Sequence, residues 1–119
     1  MITIKIYKNI EIRLLRRADN NKIVYVPRSL YFGSIVVLNK VQEIDLFIEL
    51  LNSFVTNRLQ VNKFYELANL RLQIKSKYGQ KYLYIESENN KYYFEKYECS
   101  FITRVLNKIL NKCTFEEFL

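Results

Sequence analysis

Apolar and polar residues along this chain alternate with a period of two, switch to a helical period, and then repeat the switch. Ile2, Ile4 and Ile6 alternate with Thr3, Lys5 and Tyr7, the pattern of a half-buried strand. Lys8-Asn9 is a short break, and Ile10, Ile12 and Leu14 then alternate with Glu11, Arg13 and Leu15. Arg16, Arg17 and the polar run Ala18-Asp19-Asn20-Asn21 end this second strand. Lys22 to Val26 is a third strand, closed by Pro27, because proline cannot donate to a ladder. Ser34 to Leu38, preceded by Gly33, is a fourth. From Val41 the spacing of Ile44, Phe47, Ile48, Leu51 and Val55 follows i, i+3, i+4, i+7, which predicts an amphipathic helix over 41–56 with Asn39 as its N-cap. Asn57 to Glu66 carries no clear period and is read as irregular structure or an extension of the helix.

The stretch Leu70 to Tyr97 organises the second half. Leu70, Leu72 and Ile74 alternate with Arg71, Gln73 and Lys75, and after a turn at Lys77-Tyr78-Gly79-Gln80 the apolar face continues in Leu83 and Ile85. Asn89-Asn90 makes a second turn, with Lys91-Tyr92-Tyr93-Phe94 beyond it. A last helix spans about Glu98 to Lys112, with Ile102, Val105, Leu106, Ile109 and Cys113 inward. Lys22-Ile-Val-Tyr-Val26 resembles Lys81-Tyr-Leu-Tyr-Ile85. The helix positions Ile44, Phe47, Ile48 and Leu51 map onto Ile102, Val105, Leu106 and Ile109 at nearly the same offset. The chain is thus read as strands then a helix, twice, although any two amphipathic strand-helix units look alike. These elements predict one α+β domain over 1–119: curved antiparallel sheets with two amphipathic helices. The same order also fits an OB-fold barrel with an added C-terminal helix.

Charge and aromatic content give this framework a class of partner. Lys+Arg is 19 against 12 for Asp+Glu, a net charge of +7, which favours a polyanion, nucleic acid before an anionic membrane surface. Ten tyrosines and eight phenylalanines supply flat rings, and stacking on an aromatic ring tolerates any base. Tyrosines interleave with cations on the strands, so the candidate nucleic-acid-binding residues are Lys5, Tyr7, Arg13, Arg16, Arg17, Tyr25, Arg71, Lys75, Lys77, Tyr82 and Tyr84. Of these, Arg13, Lys75 and Lys77 would hold phosphates, and Tyr7, Tyr82 and Tyr84 would stack bases. A duplex reader would carry a basic recognition helix. Neither helix is strongly basic on its exposed face, so single strands fit better.

Other chemistry is poorly supplied. The chain has no histidine, which removes the commonest general base and most metal sites. Gly33 and Gly79 stand apart, so no glycine-rich phosphate loop exists, and the carboxylates show no clustered spacing. No enzyme, cofactor or metal is expected. Cys99 and Cys113 sit 14 positions apart on one predicted helix, about 20 Å at ~1.5 Å per residue, beyond a disulfide's reach; both are read as core thiols. No apolar run approaches the ~18 residues of a membrane span and no signal-peptide pattern opens the chain, so it is expected to be intracellular with no membrane partner. The abundance of Asn, Lys, Ile and Tyr is what AT-rich codons encode, as in a phage, an archaeal virus or an organelle. The tail Phe115 to Leu119 is acidic and aromatic. It is read as a final helical turn packing on the core or as a contact for a protein partner.

The first half resembles the positive cofactor four family of single-strand binders, to which the Whirly proteins are related. That family has an aromatic-Lys turn followed by an apolar-acid-apolar-Arg strand, similar to Tyr7-Lys8-Asn9 and Ile10-Glu11-Ile12-Arg13. It then has a Gly-led strand ending in Leu and a helix opened by Glu or Gln, similar to Gly33, Ile35, Leu38, Gln42 and Glu43. The strand here is longer, Phe32 stands where the family has Lys, and Ile44 replaces the helix Trp. The likeness covers about Ile6 to Leu51. It implies sheets that present Lys, Arg and aromatics to single strands, helices on the other side, and pairing of subunits into a homodimer. The resulting expectation is a non-enzymatic single-stranded nucleic-acid-binding protein of low sequence specificity, DNA before RNA, in viral or phage replication or recombination. The alternative is a viral or organellar protein-protein interaction module with no affinity for nucleic acid.

Overall fold

The computed structural model describes residues 2–88, 90–111 and 117–118, at positions 19, 22, 117 and 118 the backbone alone. The chain runs β1 (Ile2–Tyr7), β2 (Ile10–Asp19), β3 (Lys22–Phe32), β4 (Ile35–Leu38), α1 (Val41–Val55), β5 (Tyr65–Leu67), β6 (Leu70–Lys77), β7 (Gln80–Ser87), β8 (Asn90–Phe94), α2 (Lys96–Asn111) and β9 (Glu117–Phe118). Strands β1 to β4 form one antiparallel meander, sheet A, in the order β1-β2-β3-β4; β5 to β8 form a second, sheet B, in the order β5-β6-β7-β8. Each sheet leads into a helix, so the fold is α+β with the strands-then-helix unit used twice. Lys22–Val26 and Lys81–Ile85, alike in sequence, both lie on the third strand of their sheet. The strands form two separate sheets with no closed barrel, which overturns the OB-fold alternative.

Two-residue turns set the registers. Asn20 and Asn21 take φ of +49° and +64°, and Tyr78 and Gly79 take +52° and +74°, the left-handed pair that matches strand twist in a tight hairpin. Asn90, expected in the turn after β7, is instead a strand residue paired with Ser87, and Glu88 takes φ of +49°; Asn89 lies outside the described residues. Pro27 does not end its strand. β3 passes through it to Phe32, with a register shift: Arg13 faces Ser29 while Leu14 faces Pro27. The extra residue, Arg28, absorbs the position at which proline has no N–H to offer. Beyond the reach of β1 and β4, β2 and β3 continue as a two-stranded ribbon, along which β9 pairs with Lys22 and Ile23. Glu117–Phe118 is therefore strand and not a helical turn. Lys112, Cys113 and Phe115 lie outside the described residues.

Asn39 is not the cap of α1. Lys40 holds the cap position without a side-chain bond, and the Asn39 N–H donates instead to Glu43 Oε1 at 3.2 Å. The helix stops where Asn57 takes φ of +59°. The Arg58 N–H then donates to the Ser53 carbonyl at 2.7 Å and the Asn57 N–H to the Phe54 carbonyl at 3.1 Å, closing the last turn. The region expected to be irregular thus holds a helix stop and the three-residue edge strand β5. α2 starts at Lys96, two residues before the expected start. Glu98 Oε1 accepts the Glu95 N–H at 3.0 Å, half of a capping box.

One core serves both halves. Ile12, Leu30 and Leu38 of sheet A are buried with Leu72, Leu83 and Ile85 of sheet B, Ile44, Phe47 and Leu51 of α1, and Ile102 and Leu106 of α2. Phe32 joins the layers, its ring edge-on to Phe47 of α1 (6.1 Å between centroids) and to Tyr92 of sheet B (4.9 Å). Each sheet therefore has a core face and an outer face. Among the described residues no helix is long and apolar enough to cross a membrane.

Candidate nucleic-acid interface

Strand alternation and register decide which candidate residues meet. In sheet B, Leu72, Ile85 and Tyr92 face one another across β6, β7 and β8, as do Ile74, Leu83 and Phe94; these rows face the core. The intervening rows face outward. Arg71, Glu86 and Lys91 form one row across β6, β7 and β8, Gln73, Tyr84 and Tyr93 the next, and Lys75 stands opposite Tyr82. Directly opposed side chains on one face lie within contact distance, so this register gathers Tyr82, Tyr84 and Tyr93 into one cluster. Tyr84 and Tyr93 have ring centroids 5.0 Å apart, and Tyr82 lies edge-on to Tyr93 at 6.3 Å. Lys75 Nζ sits 3.9 Å from the centre of the Tyr84 ring, and Lys77 Nζ 6.0 Å from that of Tyr93. Lys77, Tyr78, Tyr82 and Tyr93 line a shallow pocket of about 270 Å³.

Within this cluster the rings are not equivalent. Tyr93 is 49% exposed and Tyr84 4%. Tyr84, read from the sequence as a stacking ring, lies beneath Lys75 and Tyr93 and supports them; burial, followed by the charge of Glu86, raises its hydroxyl pKa above the ordinary value. Tyr93 takes the exposed place that the sequence reading gave to Tyr84. The run Tyr92-Tyr93-Phe94 is aromatic at every position and shows no alternation; the pairing of Tyr93 with Tyr84 is what reveals its face. Arg71 is exposed and stacks on Phe64, 3.9 Å from the ring centre, at the margin of the same face.

The remaining candidates do not join this cluster. Tyr7 donates its hydroxyl to Glu98 Oε2 at 2.5 Å and packs its ring on Phe101 with centroids 5.6 Å apart. Lys8 Nζ reaches the same oxygen at 3.2 Å. Tyr7 thus ties the first hairpin to the start of α2. Burial alone would raise the Glu98 pKa, but the donors from Tyr7, the Glu95 backbone and Lys8 outweigh it and hold the carboxyl below its ordinary value. The same bonds raise Tyr7 and Lys8.

On the outer face of sheet A, Lys5 stands opposite Glu11. Arg13 lies 3.9 Å from the centre of the Tyr31 ring and donates to its hydroxyl at 3.1 Å. Arg17 is opposite Val24, on that face of the ribbon, while Arg16 is opposite Tyr25. Because the register shift at Arg28 lies between Tyr25 and Leu30, Tyr25 falls on the core side and is buried. It cannot stack a base there, which corrects the sequence reading.

Among the described residues no group of three or more Cys, Asp or Glu could hold a metal ion. Cys99 is buried, and burial, reinforced by Glu98, pushes its thiol pKa up to about 12, so it stays protonated and unreactive at neutral pH. Comparison of the chain with protein-family models, with curated proteins and with solved structures finds no match.

Proposed function

We propose that the chain binds single-stranded nucleic acid, with little sequence preference, on the outer face of sheet B. The observation that carries this reading is the tyrosine cluster of Tyr82, Tyr84 and Tyr93 bordered by Lys75 and Lys77. A flat exposed ring beside ammonium groups offers both parts of single-strand binding: stacking worth ~1–3 kcal/mol per base and phosphate contacts whose strength falls with salt. Tyr93 and Tyr82 stack bases, Lys77 and Lys75 hold the backbone, and Tyr84 keeps the rings in place. A rigid duplex conceals its base faces in its own stack and gains only the phosphate term. The likeness of residues 6–51 to the positive cofactor four and Whirly proteins belongs to the same proposal.

The test is binding of labelled single-stranded and duplex oligonucleotides by the intact chain and by Tyr82→Ala/Tyr93→Ala. Preference for the single strand, lost in the variant, supports the reading. Equal affinity of the two proteins for single strands removes this face as the site.

A further inference from the structure

The acidic side of the molecule lies elsewhere. In a chain of net charge +7, α1 carries Glu43, Asp45 and Glu49 and no lysine or arginine. Between α1 and β5 runs a groove of about 490 Å³, lined by Leu46, Leu50, Leu59 and Phe64 with Glu49 and Glu66 among its borders. Leu46 and Phe64 are each about half exposed, more apolar surface than a solvated rim requires. Two cations also border it: Arg58, which donates its Nε to Thr56 Oγ1 at 2.8 Å and keeps its charge, and Arg71, which stacks on Phe64 opposite Glu66. The acidic character of the groove lies on its α1 side.

β5 is an edge strand. It pairs with β6 on one side, through Tyr65–Leu72, Glu66–Arg71 and Leu67–Leu70. In an antiparallel ladder the pair beside a two-residue turn exchanges its bonds and the next pair does not. The Glu66 N–H and C=O therefore point to the open side, along the groove. An edge with free backbone groups beside an apolar trough is the arrangement that receives an added strand.

We infer that the α1–β5 groove docks an extended segment of another protein, in which apolar residues alternate with lysine or arginine, as a fifth strand of sheet B. The free edge supplies the backbone bonds, Leu46, Leu50 and Leu59 take the apolar side chains beside the Phe64 ring that Arg71 covers, and Glu49 and Glu66 select the basic ones. A second copy of this chain is the poorer occupant: two β5 strands paired about a two-fold axis bring Glu66 to Glu66 and one acidic helix to another. The groove adjoins the margin of the proposed nucleic-acid face, where Arg71 stacks on Phe64 and stands opposite Glu66, but it shares none of the tyrosine cluster, so peptide and oligonucleotide binding are read separately.

The probe is a labelled, end-capped Lys-Val-Lys-Val-Lys-Val peptide, compared with Glu-Val-Glu-Val-Glu-Val, titrated against the intact chain at physiological salt. Saturable binding of the basic peptide is expected, with amide shifts at 64–67 and on α1. Glu49→Lys/Glu66→Lys, exposed positions whose folding is checked by circular dichroism, weakens it about tenfold, the scale of losing and reversing two screened ion pairs. N-methylating one alternate set of peptide nitrogens abolishes binding and methylating the other set does not. No saturable binding, equal binding of the acidic peptide, unchanged affinity in the variant, or the same result from both methylated sets overturns the inference. So does concentration-dependent self-association that perturbs β5, which assigns the groove to a second copy.

Discussion

Sheets A and B share a scaffold, four antiparallel strands leading into a helix, and put different groups on its outer face. In sheet A the outward tyrosine is Tyr31, and its ring and hydroxyl are both taken by Arg13. In sheet B three tyrosines touch in a row and the exposed one, Tyr93, has an open face. Both sheets close one aromatic-cation contact on themselves, Arg13 on Tyr31 and Lys75 on Tyr84; sheet B alone adds an exposed ring, Tyr93, beside it. The difference comes from register. Tyr84 and Tyr93 are opposed, whereas the bulge at Arg28 turns Tyr25 to the core side and leaves its sheet without a second outward ring beside Tyr31. On this account the fold alone does not make a binding face; the pairing of particular residues across β7 and β8 does.

The comparison breaks first if the halves do not share a core. Ile12 and Ile85 are both fully buried, so Ile12→Ala and Ile85→Ala should each cost about 2–5 kcal/mol, in one cooperative denaturant transition followed by circular dichroism. Two separated transitions would divide the halves into independent units. Tyr82→Ala/Tyr93→Ala should weaken single-strand binding roughly tenfold to a hundredfold, while Tyr31→Ala leaves it within about twofold by anisotropy. A large loss at Tyr31 would place the strand on sheet A. The pair Tyr82 and Tyr93 is chosen over Tyr82 and Tyr84 because truncating the buried Tyr84 opens a cavity as well as removing a ring.

A smaller effect concerns the tie between the halves. Glu98→Ala leaves the Tyr7, Lys8 and Glu95 donors without their acceptor and should cost about 1–3 kcal/mol, measured by urea denaturation. The lowered pKa of Glu98 gives this tie a pH dependence. Its stabilisation is complete above the unfolded carboxyl pKa and is lost as pH falls through the folded value. Wild type should therefore lose stability on acidification through the carboxylate range more steeply than Glu98→Gln. The smallest effect is on salt. Lys75→Gln/Lys77→Gln should flatten the dependence of log affinity on log salt by about 0.7 per lysine, with less change at high salt than at low.

Much of this scaffold was legible in the sequence. The period-two stretches at 2–6, 10–14 and 70–85 and the helical spacing at 44–55 and 102–109 fall where the strands and helices lie, because burial of one face imposes the period directly. Features set by distant partners were not legible. β5 is three residues long and shows no period. Pro27 passes through its strand only because Arg28 bulges beside it, and that bulge reverses the face of Tyr25. Tyr7 is claimed by Glu98, 91 residues away. The candidate site was half legible: the interleaving of Lys75, Lys77, Tyr82 and Tyr84 placed these side chains together on one face of one sheet, while Tyr93, the most open ring of its cluster, lay hidden in an unbroken aromatic run.

The central claim is that the outer face of sheet B, and not that of sheet A, binds unpaired bases. The direct measurement is fluorescence anisotropy of a labelled single-stranded oligonucleotide and its duplex, at low and physiological salt, with wild type, Tyr82→Ala/Tyr93→Ala and Tyr31→Ala. The account predicts tighter binding of the single strand, a steep fall with salt, and loss of the single-strand preference in the sheet B variant alone. Equal binding of single strand and duplex by all three proteins, or no binding at low salt, would contradict it.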